Sequence, residues 1–195
     1  MTDYNPPPAS LVRLGGIVDA LKSATKITHA FKKGGKAIFK FEGGPLYFDS
    51  LLDLDSDGSR FASQDATGQS ETSLHHPDGK PVDSNAVPFF VLPGGFEKQF
   101  GIQLGDVAAV VFKGKVEFAV FADRGPRNKL GEGSIALHRS LGHETIRGGR
   151  LHDEAIDADV ITIVFPGSGD RTPQTPEKIQ SLGKVLFMAL GGTLL

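Results

Sequence analysis

The apolar run Phe118-Ala-Val-Phe-Ala-Asp123 ends in a carboxylate. After a turn through Gly125 and Pro126, a second carboxylate, Glu132, stands between Gly131 and Gly133, ahead of another apolar segment. Strand ends that give way to loops are where rigid scaffolds display working side chains. An Asp and a Glu on facing segments are the minimum equipment for glycoside hydrolysis, one protonating the leaving oxygen and the other acting as base or nucleophile. The two glycines let the backbone approach a ligand and leave Glu132 without bulky sequence neighbours. A plainer alternative is that Asp123 caps the turn beside Pro126 and Glu132 favours the N-terminus of a following helix.

Asp53-Leu-Asp55-Ser-Asp57-Gly58 is a second acidic cluster. It matches the opening of a Ca²⁺ loop, but the twelfth position, where a bidentate Glu is needed, is Gln64. A simple Asp-rich turn explains it as well. Pro166-Gly-Ser-Gly-Asp170 lacks the lysine and glycine pattern of a phosphate loop and reads as a turn. The six His show no metal-site spacing, His75-His76 has no evident third ligand, and His138 falls on the helix after Glu132. No G-x-S-x-G elbow occurs, so Ser134 and Ser168 read as caps. Neither a metal nor a cofactor is called for.

The elements that must position these groups are short. β-type runs occur at Ala37 to Phe41, Leu46 to Leu52, Phe89 to Leu92, Val107 to Phe112, Val116 to Phe121 and Ile161 to Phe165, each bounded by Gly, Pro or Asp. Lys113-Gly114-Lys115 between two of them predicts a hairpin. Helices are expected from Leu11 to Leu21 with Ser10 as cap, from Ser134 to Leu141, and from Pro176 to Leu190 with Gly191-Gly192 beyond it. Ser56 to Asn85 has little periodicity and reads as a long loop, the kind that lines binding sites.

With 195 residues, 39% of them hydrophobic, the chain can bury one core. The expected organisation is an extended leader over residues 1–9, with Pro6-Pro7-Pro8, and a single β-rich domain over 10–195. A formal charge of -2 gives no reason to expect nucleic acid or an anionic membrane as partner. The absence of Cys excludes disulfides and thiolate chemistry. No secretory signal or bilayer-spanning run is visible, so the chain reads as soluble, with export open.

The segment Phe121-Ala-Asp-Arg-Gly-Pro-Arg-Asn-Lys-Leu-Gly-Glu-Gly-Ser-Ile-Ala-Leu137 resembles the glycoside hydrolase family 75 chitosanases. So do Val87 to Pro93 and Leu104 to Ala122 before it, and Val160 to Gly169 after it. The resemblance extends from about Phe48 to Gly192. It implies an inverting endo-hydrolase of the β-1,4 bonds of chitosan, with Asp123 and Glu132 as the acid/base pair and a polysaccharide as partner of a monomer. It also implies that Asp53, Asp55 and Asp57 match an Asp-rich family segment able to hold the ammonium groups of a glucosamine polymer. Arg124 beside Asp123 favours an ionised base, leaving Glu132 as the acid, although a helix N-terminus would favour ionised Glu132. Against chitosan stand the cations Arg124, Arg127 and Lys129 between the two carboxylates, and the lack of Trp to stack on sugars.

The expected fold is mainly β, a single six-stranded-type barrel with peripheral helices; the double-psi form is suggested by resemblance alone. Gly105-Asp106 and Ala122-Asp123-Arg124-Gly125 are also similar to double-psi lytic enzymes, which keeps a peptidoglycan-acting enzyme open. A non-catalytic glycan-binding module is the third reading.

Overall fold

A computed structural model describes residues 9–27 and 35–195; the expected leader lies outside them except for Ala9. In chain order the first elements are β1 (Ser10–Arg13), α1 (Gly15–Leu21), β2 (Thr25–Ile27), β3 (Gly35–Lys40) and β4 (Leu46–Asp55). After a long segment come β5 (Phe89–Pro93), α2 (Phe96–Phe100), β6 (Val107–Phe112), β7 (Lys115–Gly125), β8 (Glu132–Ser134) and α3 (Ile135–Ser140). The chain closes with β9 (Ile146–Arg147), β10 (Arg150–Leu151), β11 (Ile156–Phe165), α4 (Pro176–Ala189) and β12 (Thr193–Leu194).

β6 and β7 form the hairpin expected from Lys113-Gly114. Both turn residues have positive φ, 47° and 72°, as a two-residue hairpin turn matching the twist of its strands requires. From this hairpin a ring of six strands runs β11, β6, β7, β5, β8, β4 and closes by pairing β4 with β11. The pairs β4/β8 and β5/β7 are parallel and the other four antiparallel. The expected six-stranded barrel is therefore present, with β1, β2, β3 and β12 attached outside the ring.

Alternation along the strands divides the core in two. Leu46, Phe48, Leu52, Phe90, Ala108, Val110, Ala119, Phe121 and Val164 make the cluster enclosed by the ring, joined by Phe96 of α2. Phe89, Val91, Val107, Ala109, Phe118, Val120 and Ile163 make the other, covered by Ile17 of α1 and by Ile179 and Phe187 of α4. Helix α4 comes close because Gly183 has no side chain: a Cβ there would lie 2.4 Å from Phe118 Cδ1. Each fully buried Phe contributes roughly 1.5–3 kcal/mol relative to an exposed one.

Two helices follow the expected signals. Ser134 caps α3 by accepting from Leu137 N–H, and Thr175 caps α4 by accepting from Lys178 N–H, with Pro176 in the first turn. The helix expected from Leu11 does not start there. Ser10–Arg13 is a strand, paired with β7 on one side and β12 on the other, and α1 begins only at Gly15, without a side-chain cap. The apolar spacing over Leu11 and Leu14 fits a helix, but β7 offers this segment an open edge. Gly16 sits where the two ends of the chain cross, since a Cβ there would lie 2.6 Å from Gly191 O. The segment between β4 and β5 is irregular as expected, with one 3₁₀ turn at Ala62–Gln64 and a bridge between His75 and Pro81. No helix among the described residues is long and apolar enough to cross a membrane.

Candidate active site

β4 alternates strictly. Leu52 and Leu54 are buried, while Asp53 and Asp55 are turned to the other face. Strand β8 adds beside it in parallel, setting Asp53 against Glu132 and Asp55 against Ser134. On the far side of β8 runs β5, whose Val91 pairs with Glu132; beyond β5, the same Val91 pairs with Asp123 of β7. One row across four strands thus reads Asp53, Glu132, Val91, Asp123. Two strand spacings, about 10 Å, separate the backbones of Asp123 and Glu132. β7 runs on to Gly125, four residues past the expected end at Phe121, so Asp123 lies on the strand itself, and a bulge that leaves Ala122 of β7 without a partner in the register sets Asp123 opposite Val91.

Asp123 and Glu132 line one cavity of about 280 Å³ together with Asp55, Asp57, Asp65 and Lys129. Asp123 is buried, and its Oδ1 accepts from Ser73 N–H at 2.9 Å, Ser73 O–H at 2.6 Å and its neighbour's Arg124 N–H at 2.7 Å. Ser73 arrives from the long segment, which is fixed to β7 by Leu74 N–H donating to Ala122 O at 2.8 Å. The same segment brings Asp57, whose Oδ1 accepts from Gln69 N–H at 2.6 Å. The long loop thus brings Ser56, Asp57, Asp65, Thr67 and Gln69 to the cavity wall.

The Arg124 guanidinium does not serve Asp123 as expected. It donates through Nε to Glu97 Oε1 at 2.9 Å. Burial acts to raise the Glu97 carboxyl, but the Arg124 hydrogen bond and charge, with Gly95 N–H, bring it below its ordinary value. Lys129 Nζ lies 2.5 Å from Asp53 Oδ2 and 2.8 Å from Glu132 Oε1. Burial nevertheless raises Glu132, helped by the charges of Asp53 and Asp123, with Lys129 pulling the other way. Two of the three cations between the carboxylates are thus engaged by acids, and the third, Arg127, is exposed. Glu132 is on a strand rather than in the first turn of α3, whose cap is Ser134.

The glycines around Glu132 face protein, contrary to the expectation of ligand contact. A Cβ on Gly131 would lie 2.1 Å from Leu51 O, and one on Gly133 2.7 Å from Leu137 Cδ2. Space for the carboxylate is made by Gly125, where a Cβ would lie 2.3 Å from Glu132 Oε2.

Asp55, Asp57 and Asp123 each bring one carboxylate oxygen within 4.8 Å of the others. Burial, then the charge of Asp57, raises Asp55 well above the usual carboxylate range despite the Asp57 N–H it accepts. Burial, with Asp123 nearby, pushes Asp57 up to about 7. Such a trio is of a type that can hold a divalent cation. The Ca²⁺-loop reading of Asp53 to Gln64 is corrected, because Asp53 and Asp55 lie in extended β4 and Gln64 Oε1 accepts from Leu151 N–H. Asp53 is not on the cavity wall and joins the cluster through Lys129.

Other motifs take structural places. Gly167 and Gly169 donate N–H groups to the Asp106 carboxylate and Ser168 Oγ accepts from Val107 N–H, so the Pro166 turn ties β11 to β6. His138 lies on α3 as expected; its Nε2 is 3.2 Å from Asp53 O, and burial pushes it down to about 4, so it stays neutral. His75 pairs with Glu71. A second polar cavity of about 450 Å³, lined by Ser73, His75, Glu97, Gln103, Arg124 and Arg171, meets the first at Arg124. No Phe, Tyr or Trp lines either cavity among the described residues.

Ser73, Gln69, Asp65 and Glu97 escaped sequence reasoning. They lie 26 to 58 positions from Asp123, and no local pattern marks them. A family model described as fungal chitosanase of glycosyl hydrolase group 75 matches residues 52–185. No curated protein matches the chain.

Proposed function

Since the chain belongs to the fungal chitosanase family of glycosyl hydrolase group 75, and is thereby a glycoside hydrolase acting on polysaccharide, we propose that it cleaves β-1,4 bonds within chitosan by inversion, with Glu132 as acid and Asp123 as base. The observation that carries this reading is that both carboxylates line one cavity from the two sides of β5. Backbones about 10 Å apart suit an inverting pair, whose carboxyl groups stand roughly 6.5–9.5 Å apart to admit a water.

Glu132, whose carboxyl burial raises above its ordinary value, is the member of the pair placed to give a proton to the leaving glycosidic oxygen as the C1–O bond breaks. Asp123, held by three donors on Oδ1, takes a proton from the water that attacks C1 from the opposite face. Asp123 ends protonated and Glu132 ionised, and exchange with solvent restores both.

Asp55 and Asp57, crowded without a cation of their own, would be relieved by the ammonium of a glucosamine unit; Asp53 would share this role through the place Lys129 now fills. Polar walls in place of stacking aromatics favour a charged sugar. Continuation of the groove past Arg124 supports internal cleavage of a chain. Residues 10–195 would act as one catalytic domain and as a monomer, and the acidic cavity argues against nucleic acid.

The test is the purified protein on chitosan. Viscosity should fall faster than reducing ends accumulate, and proton NMR at the start of reaction should show the α-anomer. Unchanged viscosity at every pH, or a β-anomer first, overturns the reading.

A further inference from the structure

Lys129 Nζ lies 2.5 Å from Asp53 Oδ2 and donates to Glu132 Oε1 at 2.8 Å, so one alkylammonium bridges two carboxylates that the register of β4 and β8 sets side by side. The acids are the fixed partners. Asp53 Oδ1 accepts from Leu54 N–H at 3.1 Å on β4, and Glu132 is held between β4 and β5 with its Oε2 packed over Gly125. The lysine is the adjustable one. It belongs to the connection between β7 and β8, where Pro126, Arg127 and Asn128 are exposed and Lys129 N–H closes a turn on Pro126 O at 3.2 Å. Its four-carbon stem can swing the ammonium into water without moving that backbone. Lys129 and Glu132 line the cavity while Asp53 does not, so Asp53 meets that space through the lysine head.

The lysine head and the amine of a glucosamine unit are both primary ammonium groups, each with one positive charge and three N–H donors. The cavity rim thus carries an ammonium socket whose occupant comes from the chain itself. Exchanging one ammonium for another keeps the charge and the donors on both acids, and the released lysine regains water. A hydroxyl or an amide cannot make that exchange, because Asp53 and Glu132 would be left without a cation. Arg124, the other cation of the cavity, is engaged by Glu97, so Lys129 is the one that exchanges. We propose that Lys129 is a specificity-determining residue: it fills the place of a substrate ammonium on Asp53 and Glu132 and yields it only to a charged amine. This rests on the reading of the substrate as a glucosamine polymer; the socket itself does not.

The experiment empties the socket with Lys129→Ala and refills it with methylammonium, read by thermal melts at constant ionic strength. Tetramethylammonium, which has the charge but no N–H, is the control. Methylammonium should raise the melting temperature of Lys129→Ala by about 2 °C or more beyond its effect on wild type, and tetramethylammonium should not. An equal response of the two proteins, or an equal response to the two cations, overturns the proposal. Lys129→Met, which keeps an apolar stem, takes the same assay if Lys129→Ala does not fold. On a soluble glucosamine oligomer the variant should show KM lowered about threefold or more, because the substrate no longer competes with the lysine. A KM that is unchanged or raised overturns the proposal, since it makes Lys129 a fixed support of Glu132 or a substrate contact. The two readouts fail separately. A methylammonium response in a protein inactive on every glucosamine polymer upholds the socket and refutes the chitosan reading, whereas activity on chitosan without that response refutes the socket alone.

Discussion

Val91 has Asp123 as its partner on β7 and Glu132 as its partner on β8, so one valine sets the two carboxylates in a common row of the sheet. Their backbones are positioned by strand hydrogen bonds, and neither depends on the other's side chain for its place. Asp123→Asn and Glu132→Gln should therefore each fold normally and each lower kcat on chitosan by about 10²–10⁴-fold. Reducing-end assays, with circular dichroism as the folding control, check this.

Gly125→Ala and Gly131→Ala should separate geometry from stability. The added methyl at 125 meets the Glu132 carboxylate, so kcat should drop at least about tenfold while the melting temperature moves little. At 131 it meets Leu51 O in a residue with φ of 93°, so the fold should lose about 3 kcal/mol or more in urea denaturation.

Asp57 should make stability fall as pH rises. Its folded pKa, about 7, exceeds the ordinary 3.8, so between these values the folded state binds more protons than the unfolded chain. Its contribution is therefore neutral below about pH 4, and a penalty grows to its full size above pH 7. Asp57→Asn should flatten this slope and be more stable than wild type at pH 8, by on the order of 2 kcal/mol after allowance for screening in the solvent-lined cavity. Denaturant melts at pH 5 and pH 8 measure it.

Arg124→Met should leave Glu97 buried with backbone N–H groups, those of Gly95 and of Glu97 itself, as its polar support, at a cost of about 2 kcal/mol given the partial exposure of the arginine. Because Glu97 is held below its ordinary value, the wild-type advantage is present at neutral pH and disappears as pH falls through that lowered value. Asp123 keeps its bond to the residue-124 N–H, so kcat should fall less than in Asp123→Asn. Urea melts from pH 3 to 7, with kcat at one pH, decide both points.

The strands with apolar runs were legible because a ring buried on both faces needs continuous apolar segments, as in Val107 to Phe112. β8 was not, since Glu132-Gly-Ser134 has no strand character of its own and is extended because β4 and β5 leave a gap between them. The Asp123 and Glu132 candidates and the Asp55/Asp57 cluster could be read because their spacing is local. Who neutralises whom could not. Arg124 stands next to Asp123 in sequence but points to Glu97, and Asp123 takes Ser73 from 50 positions away.

Because the row through Val91 is set across the sheet, the spacing of the two carboxylates is independent of the number of residues joining β7 to β8. Insertions or deletions within residues 126–130 would reshape the rim of the groove and the reach of Lys129 while leaving Asp123 and Glu132 where they stand. This connection is where substrate preference can drift among related chains without loss of the reaction, and where an engineer seeking a different glycan should cut.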